Sequence, residues 1–238
     1  MTVSRQDFIG EVAKLYDTYE PNNQVVSQLS GIDLTTVSAP TGMGKDSLIN
    51  TAGVPRVLAE TIREPRMNNG VMERDGVEYE FRGGMLDVVL AELRHGEHVQ
   101  IGMGPARNSF YGSRIANYPT HGPALIDVLT SQVDTMRRLP FRSVAAVFVT
   151  APSYEIWLRR LTTRGVLSPE EWSQRRGEAE HSLGDALADE RYTFILNNDR
   201  DVAAAALARF ATTREHDKTA SALARNAANS IRLALKQL

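Results

Sequence analysis

The stretch VSAPTGMGKDSLI, residues 37–49, decides the fold. An apolar β-type run containing Leu34 and Val37 leads into a Gly-rich turn that ends at Gly44-Lys45, and an apolar helix-like run follows. A phosphate-binding P-loop needs that order. Backbone N–H groups of the turn converge on phosphate oxygens. The next helix turns the positive end of its dipole to the same anion. Lys45 would then reach the β- and γ-phosphates of a nucleotide, which makes Thr41, Gly42, Met43, Gly44, Lys45, Asp46 and Ser47 candidate nucleotide-binding residues. The match to GxxxxGK[ST] departs at both ends. Ala39 stands where the first glycine belongs, and Asp46 where the Mg²⁺-binding Ser or Thr belongs, with Ser47 one position late. A carboxylate is itself a hard oxygen ligand, so Asp46 is the candidate metal residue. Without a metal its charge would repel the phosphates, and the sequence leaves the two readings open.

A chain of 238 residues fits one large α/β domain or one domain with appendages. Its net charge of −2 gives no general electrostatic reason to bind nucleic acid or an anionic membrane, so neither is expected as a partner. The chain has no cysteine, which excludes disulfides and thiolate metal sites. MTVSRQDFIGEV lacks a basic region followed by an apolar run, and no apolar run has the length of a membrane span. A cytoplasmic globular protein is the expectation.

Around the loop, strands alternate with helices. Phe8, Ile9, Val12, Leu15, Tyr16 and Tyr19 predict an appended helix over 5–19, stopped by Pro21. Residues 32–38 read as the first core strand, 45–52 as its helix, and 57–62 as a second strand before a basic turn. A loop or hairpin over 66–78 leads to YEF at 79–81, then a helix over 85–94 and a short strand over 98–102. PALIDVL, 123–129, and VAAVFVT, 144–150, read as core strands; the second is too continuous for a one-faced edge strand. Ser153 caps a helix over 153–164, and Ser168-Pro169-Glu170-Glu171 starts another that runs to about Ala188. A strand at 192–196, a helix from Val202 to Phe210 and an Ala-rich helix in 213–238 complete the pattern. The fold class is α/β, with a mostly parallel sheet flanked by helices.

Several segments then fall into one order: SAPTGMGKDSL, TIREPR, DGVEYEF, FYGSR, LIDVL, VFVTAPSYEIWLRRLTTRG, SPEEWSQRR and FILNNDRDVAAAAL. This collinear set resembles the guanylate kinase family over roughly residues 32–210. The resemblance implies a P-loop core over 31–211, an inserted NMP-binding subdomain at about 57–119 and a mobile Arg-rich lid at about 159–178. The N-terminal 1–30 and C-terminal 212–238 would be helical additions. It implies ATP as phosphoryl donor with Mg²⁺, and a nucleotide or another phosphorylated small molecule as acceptor. Arg63 and Arg66 match the pair that grips the acceptor phosphate, a task suited to the planar guanidinium fork. Tyr79 and Tyr111 match tyrosines that donate hydroxyls to that phosphate. Asp127 takes the strand-end position of the family's first aspartate. Arg160, Arg164 and Arg175 match the catalytic lid arginines, and Asn197 the loop beside the donor adenine.

Departures fall on the base-reading positions. The glutamate expected before FYG aligns with Gly102, the serine before TIREPR with Ala59, and the second aspartate with Leu129. Glu60 and Gln100 are the nearby polar residues that could read a base instead, and 67–74 is longer than the family's loop. Three functions compete: an NMP kinase with GMP as first candidate and altered base preference, a kinase for another phosphorylated small molecule such as a ribosyl phosphate, and a non-catalytic binding module. Retention of Lys45 and the lid arginines favours an enzyme. His95, His98 and His121 form no metal pattern and read as surface or packing residues.

Overall fold

The computed structural model describes residues 3–68, 71–104, 109–163 and 168–237. They form two compact units, the first from 1–32, 57–122 and 134–142, the second from 33–56, 123–133 and 143–238.

The second unit is built on a five-stranded, mostly parallel sheet. Its spatial order is Tyr192–Leu196, Ser143–Thr150, Ile32–Ser38, Gly122–Asp127, Arg56–Val57. Strand Ile32–Ser38 pairs in parallel with Ser143–Thr150, which pairs in parallel with Tyr192–Leu196. Val37, Val147, Val149 and Ile195 pack with Leu48, Leu207 and Phe210 of flanking helices. Helices on both faces leave such strands no solvent side, so they read as unbroken apolar runs. Helix Pro169–Ala188 starts on the expected signal: Ser168 Oγ accepts from Glu171 N at 3.1 Å, and Glu171 Oε2 accepts from Ser168 N at 2.9 Å. Such a reciprocal cap is worth about 1 kcal/mol. Helix Lys218–Lys236 buries Ala224, Ala228, Ile231 and Leu235 within the same unit.

The first unit centres on a four-stranded sheet in the order Glu80–Phe81, Glu60–Thr61, Phe110–Arg114, His98–Met103. The segment expected as one strand over 57–62 is two. Arg56–Val57 ends one sheet and Glu60–Thr61 begins the other, so the chain changes sheets at Leu58-Ala59. Helix Arg5–Tyr16 is shorter than expected, and a further helix, Asn23–Val26, follows it. Rather than packing outside the fold, Phe8 and Val12 are fully buried with Val89, Leu93, Ile101 and Phe110. The long 66–78 segment contains a two-stranded hairpin, Met67–Asn68 with Val71–Met72.

Candidate active site

In the second unit the turn after Ile32–Ser38 is shaped by two left-handed glycines, Gly42 at φ 90° and Gly44 at φ 87°. A side chain at either is strained by about 1–2 kcal/mol. A Cβ on Gly42 would also press on the Trp157 indole at 3.3 Å, and one on Gly44 would collide with the Asn197 amide. Three contacts hold the turn from below. Trp157 Nε1 donates to Thr41 O at 2.8 Å, Asn197 Nδ2 donates to Met43 O at 2.8 Å, and Ala151 N donates to the buried Met43 sulfur at 3.1 Å. Asn197, expected beside the donor adenine, therefore spends its amide on the loop, and its own carbonyl accepts from Arg160 at 2.9 Å. Sequence reasoning missed Trp157 as a loop support; its place on the apolar face of Tyr154–Thr162 reads only as core.

Lys45 forms an ion pair with Asp127 and lies 3.9 Å from Asp46. Burial works against the Lys45 charge, but Asp127 and Asp46 outweigh it and hold the ammonium above its ordinary pKa. Burial pushes the Asp127 carboxyl up, with Lys45 pulling against it. Asp46 Oδ1 is also 3.5 Å from Arg56, which donates to Asn50 Oδ1 at 2.7 Å. Asp46 and Ser47 are both exposed at the start of helix Lys45–Thr51. Exposed carboxylate and hydroxyl oxygens beside the half-buried Asp127 carboxylate are the donor set that a small hard cation such as Mg²⁺ takes, so the residues fit it. Arg160 is half-buried, and burial followed by Arg159 lowers its pKa. Arg175 donates to Glu178 at 3.0 Å within its own helix. Arg164 lies outside the described residues.

In the first unit Arg63 is buried, its guanidinium 4.9 Å from the Tyr79 ring centroid and 5.3 Å from that of Phe81. Tyr79 lies 6.0 Å from Tyr111, ring to ring. Both Arg63 amino groups donate to Glu73, at 2.5 and 2.9 Å, and Arg66 N donates to Glu73 at 2.8 Å. Burial alone would raise the Glu73 pKa, but Arg63 and Arg66 more than reverse it and hold it low. The same pairing overcomes burial to keep the Arg63 pKa high. The Arg66 side chain is exposed. The arrangement is a fixed cation on aromatic faces, its charge matched by a bidentate carboxylate.

The opposite face of the same sheet carries a cluster that the sequence did not disclose. Glu60 and His98 are fully buried and paired with each other. Arg82 donates to Glu60 at 2.9 Å and to both oxygens of Glu92, and Arg114 reaches Glu80 at 2.6 Å and Glu60 at 3.2 Å. His98 is thus not a surface residue: it packs edge-on against Phe110, ring centroids 6.1 Å apart, and is also paired with Glu60, which is engaged by His98 and Arg82. Glu60, Glu92 and His98 lie close enough to share a cation. However, Arg82 already donates to both carboxylates. The carboxylates are thus already engaged by arginines.

A search against family profiles finds no match. Curated relatives do match. The chain is 30% identical over 182 residues to the guanylate kinase of Frankia casuarinae, covering 73% of this chain and 94% of that one. The chain belongs to the guanylate kinase family. It is 29% identical to the guanylate kinases of Thiobacillus denitrificans and Chlamydia pneumoniae, over 70% of its length and 78% and 80% of theirs. The fold is similar to the crystal structure of guanylate kinase from Anaplasma phagocytophilum, with a TM-score of 0.52 at 19% identity over 80% of this chain and 89% of that one. As a guanylate kinase family member, the chain is an ATP-dependent nucleoside monophosphate kinase.

Proposed function

We propose that this guanylate kinase family member transfers the γ-phosphoryl group of ATP to GMP, and that it reads the base less strictly than a full set of guanine-reading groups would. The observation that carries the reading is the pair of anion grips: Lys45 behind a turn set by two left-handed glycines, and Arg63 fixed on the Tyr79 and Phe81 rings beside Tyr111. Phosphoryl transfer between two polyanions is mostly a matter of holding both in line and neutralising the moving oxygens.

In this reading Thr41–Ser47 cradles the ATP phosphates and Lys45 neutralises the β- and γ-oxygens. Arg63, Arg66, Tyr79 and Tyr111 hold the acceptor phosphate, and Asp127 keeps Lys45 in place. An oxygen of the GMP phosphate attacks the γ-phosphorus, the bond to the β–γ bridging oxygen breaks, and ADP leaves with that electron pair. Asp46 and Ser47 would hold Mg²⁺, which neutralises charge between the β- and γ-phosphates when bound. Arg160, Arg164 and Arg175 belong to the lid, at about 159–178, that excludes water. Residues 57–119 form the acceptor-binding subdomain.

Ala59, Gly102 and Leu129 stand where base-reading side chains are expected. Each missing charge-assisted contact forfeits about 1.5–3 kcal/mol of discrimination. Measured kcat/KM for GMP, dGMP, AMP, UMP and CMP tests the reading. The expected result is GMP first by a modest factor. A preference of many thousand-fold would contradict loose reading, and turnover of ribosyl phosphates alone would replace the acceptor.

A further inference from the structure

The P-loop turn of this chain carries a negative charge where the pattern GxxxxGK[ST] has a neutral hydroxyl, because Asp46 follows Lys45 directly. A polyphosphate settling on the turn meets that carboxylate at close range, where like charges repel strongly. The second unit supplies a counter-charge. Arg56 Nη2 donates to Asp46 Oδ1 at 3.5 Å, and Arg56 Nη1 donates to Asn50 Oδ1 at 2.7 Å. Asp46 and Asn50 stand four residues apart on helix Lys45–Thr51, so one guanidinium fork spans one face of it.

Arg56 opens the short strand Arg56–Val57, at the edge of the five-stranded sheet and next to the strand Gly122–Asp127. Leu125 N donates to Pro55 O at 2.8 Å, which fixes the backbone just before Arg56. The Arg56 side chain is 13% exposed, against 51% for Asp46. A guanidinium so far withdrawn from water needs acceptors. A carboxylate as exposed as Asp46 does not need a guanidinium, and such a partly exposed pair adds little to the stability of a fold. Its larger consequence is for an anion bound at the turn, which meets the Asp46 charge offset rather than bare.

We propose that Arg56 is a positioning residue for the phosphoryl donor: paired with Asp46, it offsets the carboxylate's charge towards the nucleotide phosphates and tethers Asp46 Oδ1, and so makes a carboxylate tolerable in the place of the P-loop hydroxyl. The inference rests on the kinase reading above and adds to it a residue outside the P-loop. Without the guanidinium, Asp46 faces the phosphates with its full charge. Metal-free ADP, a polyanion, feels that charge strongly. In the Mg²⁺ complex the metal has cancelled much of the phosphate charge, and a carboxylate beside it is a ligand rather than an obstacle. Loss of Arg56 therefore acts chiefly on the metal-free nucleotide, whereas a general loosening of the turn weakens both forms alike.

The test is calorimetric titration of the full chain with ADP, once in EDTA and once in excess Mg²⁺. The variants are Arg56→Gln, Arg56→Lys, Asp46→Ser and Arg56→Gln combined with Asp46→Ser. Arg56→Gln should weaken metal-free ADP roughly tenfold or more, the scale of one uncovered unit charge near the phosphates, and the Mg²⁺ complex by less than about threefold. Arg56→Lys keeps the charge and should stay within about threefold of the unsubstituted chain in both titrations. Adding Asp46→Ser to Arg56→Gln should restore the metal-free affinity to within about threefold, because the carboxylate that was uncovered is gone. Asp46→Ser alone, at an exposed position, uncovers Arg56 instead and should strengthen metal-free ADP, a gain that Arg56→Gln removes; this variant carries the test if Arg56→Gln alone does not fold. Equal weakening of both forms in Arg56→Gln, or no rescue by Asp46→Ser, would make Arg56 a structural residue or a direct phosphate contact and overturn the inference. Binding of the Mg²⁺ complex alone by the unsubstituted chain would show that the Asp46 charge is not offset, and would overturn it too while leaving the kinase reading intact. Absence of ADP binding in both titrations of the unsubstituted chain would remove the kinase reading and this inference with it.

Discussion

The two units each hold a cation against a carboxylate, Lys45 half-buried and Arg63 buried, but they fix it by different means. In the second unit Lys45 follows a turn dictated by backbone geometry, with positive φ at Gly42 and Gly44 and support from Trp157 and Asn197. In the first, Arg63 is fixed mainly by side chains, two aromatic faces and the bidentate Glu73, with one bond from Nη1 to the Glu64 carbonyl at 3.0 Å. A backbone-built cradle depends on a few glycines close in sequence. A side-chain-built grip depends on partners ten or more residues away, and so can change its neighbours while keeping its charge.

The largest expected effect breaks the backbone-built cradle at its charge. Lys45→Ala should cut turnover by at least about 100-fold, the scale of losing one preorganised charge contact. It should also destabilise the fold by about 3–5 kcal/mol, because Asp127 is left buried and unpaired. Adding Asp127→Asn should restore most of the melting temperature and none of the activity. Full activity in Lys45→Ala would remove the cradle from the chemistry. Next comes Arg63→Ala, for which KM of every monophosphate should rise about 10- to 100-fold with KM for ATP unchanged. A rise confined to one base would sink the phosphate assignment. Asn197→Ala removes one neutral bond to Met43 O, so it should raise KM for ATP by about 2- to 10-fold. An unaltered KM for ATP would show that the loop keeps its shape without it.

The smallest effect is acid sensitivity, and it differs in sign between the carboxylates paired with Arg63 and Arg82 and the one paired with Lys45. Glu60 and Glu73 have folded pKa values below the ordinary 4.5, because His98 and Arg82 on one, and Arg63 on the other, overcome burial. Their stabilisation is present above the ordinary value and is lost as pH falls through the lowered one. Asp127 is raised by burial, so its contribution is present in acid and declines as pH rises. The first unit should therefore loosen ahead of the second as pH drops from about 5 to 3. Both tryptophans, Trp157 and Trp172, lie in the second unit. Far-ultraviolet circular dichroism should consequently change before tryptophan fluorescence does. Coincident transitions would show that the units respond to acid as one.

How much of this was legible in the sequence follows the same division. The strand Ser143–Thr150, the capped helix at Ser168 and the glycine turn were readable because each is encoded by neighbours in the chain. The break at Leu58-Ala59 was not, because an apolar run does not say which of two sheets it serves. The Glu60–His98–Arg82 cluster was not, because its members are brought together only by strand pairing across 38 residues. Trp157 and Asn197 were visible as an apolar residue and a loop residue. Their support of the P-loop turn is a tertiary contact spanning 116 and 154 residues.

The most direct test of the central claim is to follow the label from γ-labelled ATP in the presence of Mg²⁺ and GMP, separating the products by chromatography. The expected result is labelled GDP, formed in proportion to ADP and lost in both Lys45→Ala and Arg63→Ala. Label appearing only in inorganic phosphate, or remaining in ATP at every GMP concentration, would contradict it.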